Sequence, residues 1–220
     1  GYPSIVASGS NACILHYTSN QDQVRDGDLL LIDAGAEYGF YSADITRTWP
    51  INGKFSAQQR DVYEIVLASN KAGIKAARPG IGIDEVHQAS VKVLTQGLID
   101  LNVLKGNLDD LVQRQEYLPY FMHGTSHWLG LDVHDPGGRY RTMNSSSKPT
   151  KLQPSMVLTI EPGLYFGRFA ENTPEHLKGI GIRIEDNVSI VDSGNIVLTD
   201  KVPKDIKSME TAVGRGFKNN

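Results

Sequence analysis

The chain has one cysteine, Cys13, so no intrachain disulfide can form, and such sparse use suits a reducing compartment. It has no apolar run near the roughly 20 residues that a helix needs to cross a bilayer. No basic-then-apolar signal segment opens it, so the expected location is the cytoplasm with no membrane partner. It also lacks an excess of positive charge. The formal net charge of −3 argues against nonspecific nucleic-acid binding, which needs a basic surface. Low-complexity tracts, linkers and short-period repeats are missing too. What is present, 40% hydrophobic and 21% charged residues, is the composition of a globular protein. A length of 220 residues allows one substantial core, or two small halves sharing one. The opening Gly1-Tyr2-Pro3-Ser4-Ile5-Val6 has no initiator methionine and already reads as extended chain, as expected of a piece of a longer protein.

Histidine is scarce, yet three of the six, His123, His127 and His134, fall within Phe121–Asp135 (FMHGTSHWLGLDVHD). Singly, each reads as an ordinary core or surface residue. Together, separated by Gly124 and Gly130, they point to a site, since imidazoles supply metal ligands and proton carriers near neutral pH. A continuous strand would put His134 on the opposite face from His127. It reaches the same cleft only if the Gly130 region bends the chain.

Strands ending in carboxylates recur on both sides of this stretch. Residues 4–16 read as a hairpin around Ser8-Gly9-Ser10-Asn11, with His16 at the end of its second strand. Leu29–Ile32 is a buried-strand run ending in Asp33, and burying that carboxylate is costly unless it is paired or metal-bound. Residues 38–49 are rich in β-formers, and alternation places Asp44, Thr46 and Thr48 on one face. Asp33 alone also fits the start of a turn before Gly35, but adjacent antiparallel strands could bring Asp33 and Asp44 together, where they repel unless a cation intervenes. Ser56 is a natural N-cap for a helix over 57–78, Asp84 for one running to about Leu101, and Asn107 for a short third helix. His87, within the second helix, has no chemical company in sequence and reads as structural or exposed. His176 reads as a surface residue. Residues 139–151 read as a polar loop. Met156–Ile160 is a strand delivering Glu161. In Gly179–Asp186 a period of two sets Ile180, Ile182 and Ile184 on the buried face and Gly181, Arg183 and Glu185 on the other. Arg183 and Glu185 taken alone fit a structural ion pair. The tail from Ser208 reads as poorly ordered.

Four carboxylates, Asp33, Asp44, Glu161 and Glu185, with His127 make a hard, mostly oxygen donor set. That suits Mn²⁺ better than the thiolate-rich sites of structural zinc. One divalent ion leaves carboxylates uncompensated, whereas two balance all four. Paired metals can activate a water and polarise a carbonyl for hydrolysis. Carboxylate-bearing strands in each half, with long helices between, suggest two related α+β halves closing on one cleft.

These motifs also resemble a family. LIDAG, the Asp44-Ile45-Thr46-Arg47-Thr48 string, HGTSHWLGLDVHD, LTIEPGLYF and GIRIED occur in the order found in the pita-bread metallopeptidases, and most resemble the Xaa-Pro aminopeptidases (aminopeptidase P) among them. The resemblance spans nearly the whole chain. It implies a single catalytic pita-bread domain over residues 1–220: two pseudo-symmetric α+β halves with a curved, mainly antiparallel sheet around a dinuclear metal site. The family's N-terminal domain, and the helical residues that begin the catalytic fold, are expected to be missing. It implies that Asp33 binds the first metal, that Asp44 and Glu185 bridge the two, and that His127 and Glu161 complete the second, with the activated solvent between the ions. The metals expected are two divalent ions, Mn²⁺ first, with Co²⁺ or Zn²⁺ as alternatives. His16, His123 and His134 match histidines lining the substrate site, Tyr165 a nearby tyrosine, and Arg183 an arginine beside the bridging glutamate. Glu161 is the candidate proton relay to the leaving proline nitrogen.

The implied reaction is release of the N-terminal residue from peptides with proline second, and the full-length protein is expected to be a homo-oligomer. Prolidase, cleaving Xaa-Pro dipeptides with the same ligands, is the nearest alternative. Methionine aminopeptidases lack the Arg-x-Glu-Asp pattern at Arg183, and creatinase-like enzymes use the fold without metal. Binding-only pita-bread modules typically lose ligands, and none is lost here.

Overall fold

The computed structural model describes residues 1–138, 140–143 and 146–214; for 140–143 and 146–147 it describes the backbone. The strands and helices run β1 (Ile5–Ser8), β2 (Leu29–Asp33), β3 (Glu37–Tyr38), β4 (Tyr41–Ser42), β5 (Thr46–Pro50), α1 (Ala57–Ala76), α2 (Ile83–Asp100), α3 (Leu108–Gln113), β6 (Tyr140–Met143), β7 (Ser146–Pro149), β8 (Val157–Ile160), β9 (Gly163–Tyr165), β10 (Gly181–Arg183), β11 (Asp186–Val191), β12 (Gly194–Val197) and α4 (Ile206–Ala212).

Two three-stranded antiparallel sheets frame the molecule, one ordered β1-β2-β5 and the other β12-β11-β8. The long helices lie between them in sequence. Ser56 caps α1 through a reciprocal bond pair with Gln59. Asn107 caps α3 through the backbone N–H groups of Asp109 and Asp110. The main core packs Val62, Tyr63 and Val66 of α1 and Leu94 and Leu98 of α2 against Leu164, Tyr165, Ile182 and Ile184. A second core, with Val86, Leu158, Ile160 and Val188, lies under the second sheet. Ile182 and Ile184 are fully buried, as their alternation predicts.

Several local expectations are corrected. Residues 4–16 form no hairpin: β1 pairs with β2, and Gly9–Cys13 turns as a 3-10 helix. The turn signal at 8–11 was real, but the partner strand lay twenty residues downstream. The 3-10 turn seats against β10 so closely that a Cβ on Gly181 would stand 2.5 Å from the Ala12 carbonyl carbon. Asp84 sits in the first turn of α2; the N-cap is Gly82, whose N–H is taken by Glu85 at 2.9 Å. Residues 38–49 are not one strand, because the small β3–β4 hairpin interrupts them and leaves Asp44 in the connector before β5. The single strand expected over 179–186 breaks at Ile184–Glu185, where the chain changes partner: β10 pairs with β9 and β11 with β8 and β12. The polar segment after His134 carries the β6–β7 hairpin; residues 139, 144 and 145 of that expected loop lie outside the described residues. Ser208–Ala212 belongs to α4, capped by Asp205, so the tail is ordered at least that far; residues 215–220 lie outside the described residues.

Candidate metal centre

One cavity of about 270 Å³ is lined by Asp33, Asp44, His127, Glu161 and Glu185, together with His16, His123, His134 and Arg183. Asp33 ends β2, and register pairs it with Thr46 of β5. Two residues before Thr46, the connector carries Asp44 back beside Asp33, so that Tyr2 Oη reaches Oδ1 of Asp33 at 2.5 Å and of Asp44 at 2.7 Å. Glu161 follows β8 and Glu185 precedes β11; register sets Ile160 against Asp186, so both glutamates stand where those strands part. The Glu161 N–H donates to the Thr125 carbonyl, tying it to the histidine segment.

His127 sits among the carboxylates. Its Nε2 lies 3.3 Å from Asp44 Oδ2, 3.7 Å from Glu161 Oε1 and 3.9 Å from Glu185 Oε1. Its Nδ1 is 3.0 Å from the Trp128 carbonyl, which can only accept. That carbonyl takes the Nδ1–H, so Nε2 is the nitrogen turned into the cavity, able to bind a cation or, when protonated, to donate to Asp44. Beyond it the chain turns sharply, with Gly130 N–H donating to Asp132 and Asp135 N–H to Trp128. That bend folds the His134 ring edge-on to His127, centroids 4.4 Å apart.

The other side of the cavity is a chain of donors. Arg183 Nη2 donates to Asp33 Oδ2 at 2.7 Å and Nη1 to Tyr165 Oη at 3.1 Å. Tyr165 Oη lies 2.8 Å from His123 Nε2, whose Nδ1 faces the Gly124 carbonyl at 2.9 Å. The carboxylate paired with Arg183 is thus Asp33 rather than Glu185.

A family comparison fits this arrangement. The model for Metallopeptidase family M24 matches residues 1–192. The chain belongs to that family. The Xaa-Pro aminopeptidases of Haemophilus influenzae and Escherichia coli are each 50% identical to it over 209 residues, 95% of this chain and 47% and 46% of theirs. Among solved structures, a Glu-to-Ala variant of Escherichia coli aminopeptidase P in complex with substrate superposes with a TM-score of 0.89 at 50% identity, covering 96% of this chain and 46% of that one. Pseudomonas aeruginosa aminopeptidase PepP gives 0.91 at 44%, covering 96% and 47%. The chain therefore has the pita-bread fold of these aminopeptidases, and it spans about half the length of the curated relatives it matches.

The charge distribution of this M24 site fits a divalent cation. One donor atom each from Asp44, His127 and Glu185 lie within 4.8 Å of one another. Without an ion the carboxylates are frustrated. Burial, then the charges of Asp44, Glu161 and Asp33, drive Glu185 well above the usual carboxylate range. Burial lifts Glu161 to about 7. Burial also raises Asp33, although Arg183 opposes it. Asp44 is held low: burial works against its charge, but the bonds to His127 and Tyr2 prevail. Burial would lower His127, yet Asp44 and Glu161 raise it. Burial and Arg183 keep His123 near 3, so its 3.6 Å approach to Glu161 is a contact of a neutral ring and no ion pair.

Several participants carried no sequence signal. Tyr2 bridges two carboxylates from a segment that reads merely as extended, and only the β1–β2 pairing places it there. Asn187 clamps the Asp44 backbone from the second half, accepting the Asp44 N–H and donating to its carbonyl. His87 lies 2.8 Å from Thr125 Oγ1 and packs near Phe121, so it braces the histidine segment; it has company after all. His176 is exposed, as expected.

Proposed function

We propose that this chain is the catalytic domain of an Xaa-Pro aminopeptidase, hydrolysing the first peptide bond of substrates with proline second. The observation that carries the reading is the convergence of four carboxylates and four histidines on one cavity, in a chain 50% identical to enzymes of that name. Asp33 would hold a first divalent ion, His127 and Glu161 a second, and Asp44 and Glu185 both. Mn²⁺ suits the oxygen-rich set. Paired ions of this kind supply Lewis acidity and lower the pKa of bound water.

The chain's own residues do the rest. Arg183 holds Asp33 in place and neutralises part of the cluster's charge. Glu161 faces the cavity from beside His123 and is placed to move a proton to the departing proline nitrogen, which has no N–H of its own in the peptide. His16 and His134 line the same cavity and can donate to the scissile carbonyl as negative charge develops on it. His123, with both ring nitrogens engaged, must exchange an internal bond before it can contact substrate. Tyr165 stands behind it and fixes its ring. The cytoplasm, and a homo-oligomer in the longer protein, complete the proposal.

The deciding experiment offers the Mn²⁺-loaded chain an Xaa-Pro dipeptide beside an Xaa-Pro-Yaa tripeptide and measures the free N-terminal amino acid. Faster release from the tripeptide is expected. Turnover of the dipeptide alone would make it a prolidase, and no release from either, with metal bound, would leave a binding module.

A further inference from the structure

Of the Asp44-Ile45-Thr46-Arg47-Thr48 string, the proposed function uses only Asp44. Thr46 is fully buried and touches the opposite half at three points. Its carbonyl accepts the Glu185 N–H at 3.0 Å, and its hydroxyl lies 2.6 Å from Glu185 Oε2. The same hydroxyl oxygen is 3.0 Å from Arg183 Nε, a group that can only donate. A hydroxyl has one proton, so with Arg183 donating to it, that proton goes to Glu185. Arg183 meanwhile donates to Asp33, which puts the Thr46 hydroxyl in series between two carboxylates of the centre. Thr48, on the same face of β5, does the parallel work on the backbone: its Oγ1 donates to the Arg183 carbonyl at 3.0 Å and accepts the Arg183 N–H at 3.2 Å.

We infer that Thr46 is a positioning residue for the metal centre: its hydroxyl orients the Glu185 carboxylate and couples that orientation to Arg183 and Asp33. The inference rests on the dinuclear reading above. Glu185 needs such help because it lies in the break between β10 and β11, where no strand ladder aims its side chain. It also faces three other carboxylates that repel it. The bond from Thr46 to Oε2 leaves Oε1 as the oxygen turned towards His127. The bond of Arg47 Nη1 to the Glu185 carbonyl and that of the Glu185 N–H to the Thr46 carbonyl fix the backbone at the same point, so the Thr46 hydroxyl acts on the side chain alone.

The test compares Thr46→Val, which keeps the shape and removes the hydroxyl, with Thr46→Ser, which keeps the hydroxyl and removes the methyl. Each 220-residue variant is stripped of metal, titrated with Mn²⁺ by calorimetry with metal analysis, and melted with and without the ion. Loss of a group that orients a ligand typically costs 10–100-fold in metal affinity. Thr46→Val is expected to lose that much for at least one ion, with a smaller rise in Tm on adding Mn²⁺, while Thr46→Ser stays near wild type. A merely structural threonine would lower both melting temperatures equally and leave affinity unchanged, which overturns the inference. So would a serine variant as weak as the valine one, because the methyl would then be the important part. If Thr46→Val does not fold, Thr46→Cys against Thr46→Ser makes the same comparison, a thiol being a poor donor. Wild-type protein that takes up no Mn²⁺ would instead overturn the proposed function beneath it, a result distinct from wild type and Thr46→Val binding alike.

Discussion

Gly35→Ala is the substitution for which the structure gives the sharpest expectation. Gly35 lies where the chain leaving β2 crosses the connector that bears Asp44. Ala34 N–H donates to the Ile45 carbonyl and Ala43 N–H to the Ala36 carbonyl on either side of it. A methyl built on Gly35 would overlap the Ala43 carbonyl and stand 3.0 Å from the Asp44 nitrogen. These are backbone atoms, so no side chain can swing away. The 1.7 Å gap to the Ala43 oxygen must widen past 3.0 Å, so the crossing opens by more than about 1.3 Å, and overpacking of this kind typically costs about 1–3 kcal/mol. For a chain of this size that corresponds to a fall in Tm of roughly 2–12 °C. The same movement separates Asp44 from Asp33 and strains the two contacts at Tyr2 Oη that hold them together. Thermal melts of the demetallated and Mn²⁺-loaded variant, with metal analysis, report both effects. The larger loss should appear in the loaded form, since the displaced carboxylates meet at the proposed ions. A variant melting within a degree of wild type and binding the same Mn²⁺ would refute the reasoning.

Three further outcomes are expected. Chelation should lower Tm, because the apo carboxylates repel and an ion at a hundred times its Kd adds about 2.7 kcal/mol to the folded state; equal melting temperatures with and without Mn²⁺ would contradict this. Glu185→Gln should lose metal, while His134→Ala should keep it and lose turnover by on the order of 10²–10³; equal metal loss by analysis of both would make His134 a ligand. Cys13, whose thiol donates to the Ile180 carbonyl, is pushed by burial from its ordinary 9.0 to about 12. The unfolded chain therefore releases this proton at lower pH than the folded one, so stability should fall as pH rises from 9 towards 12. At pH 8 the native thiol should alkylate far more slowly than the denatured one. Rapid native labelling, or an alkaline loss of stability undiminished in Cys13→Ser, would count against that assignment.

Much of this molecule was legible along the chain wherever the governing physics is local. Ser56 and Asn107 announce their helices because a capping side chain bonds within three residues of itself. Leu29–Asp33 and Val157–Ile160 announce themselves as buried strands. Alternation alone puts Ile182 and Ile184 inside and leaves Arg183 and Glu185 facing the cavity. The residues singled out for their chemistry line one cavity, with Tyr165 directly behind it, because carboxylates that end apolar strands and clustered histidines are costly to place anywhere else.

Pairing was not legible. The apolar residues at 5–8 have the same pattern whether they join a local hairpin or β2, and only the closed sheet selects β2. The chain shows no reason to break at Glu185 until β9 and β8 claim different parts of the segment. Tyr2, Asn187 and His87 gain their roles from partners 31 to 143 residues away. The sequence by itself determined which residues are costly to bury and which elements bear them, because propensity, capping and alternation act over a few bonds. Only the tertiary structure decided which carboxylates meet, that Arg183 answers Asp33 rather than Glu185, and that Thr46 holds Glu185. Those contacts join the two halves, and hydrogen-bond geometry across such a junction exists only after both have folded.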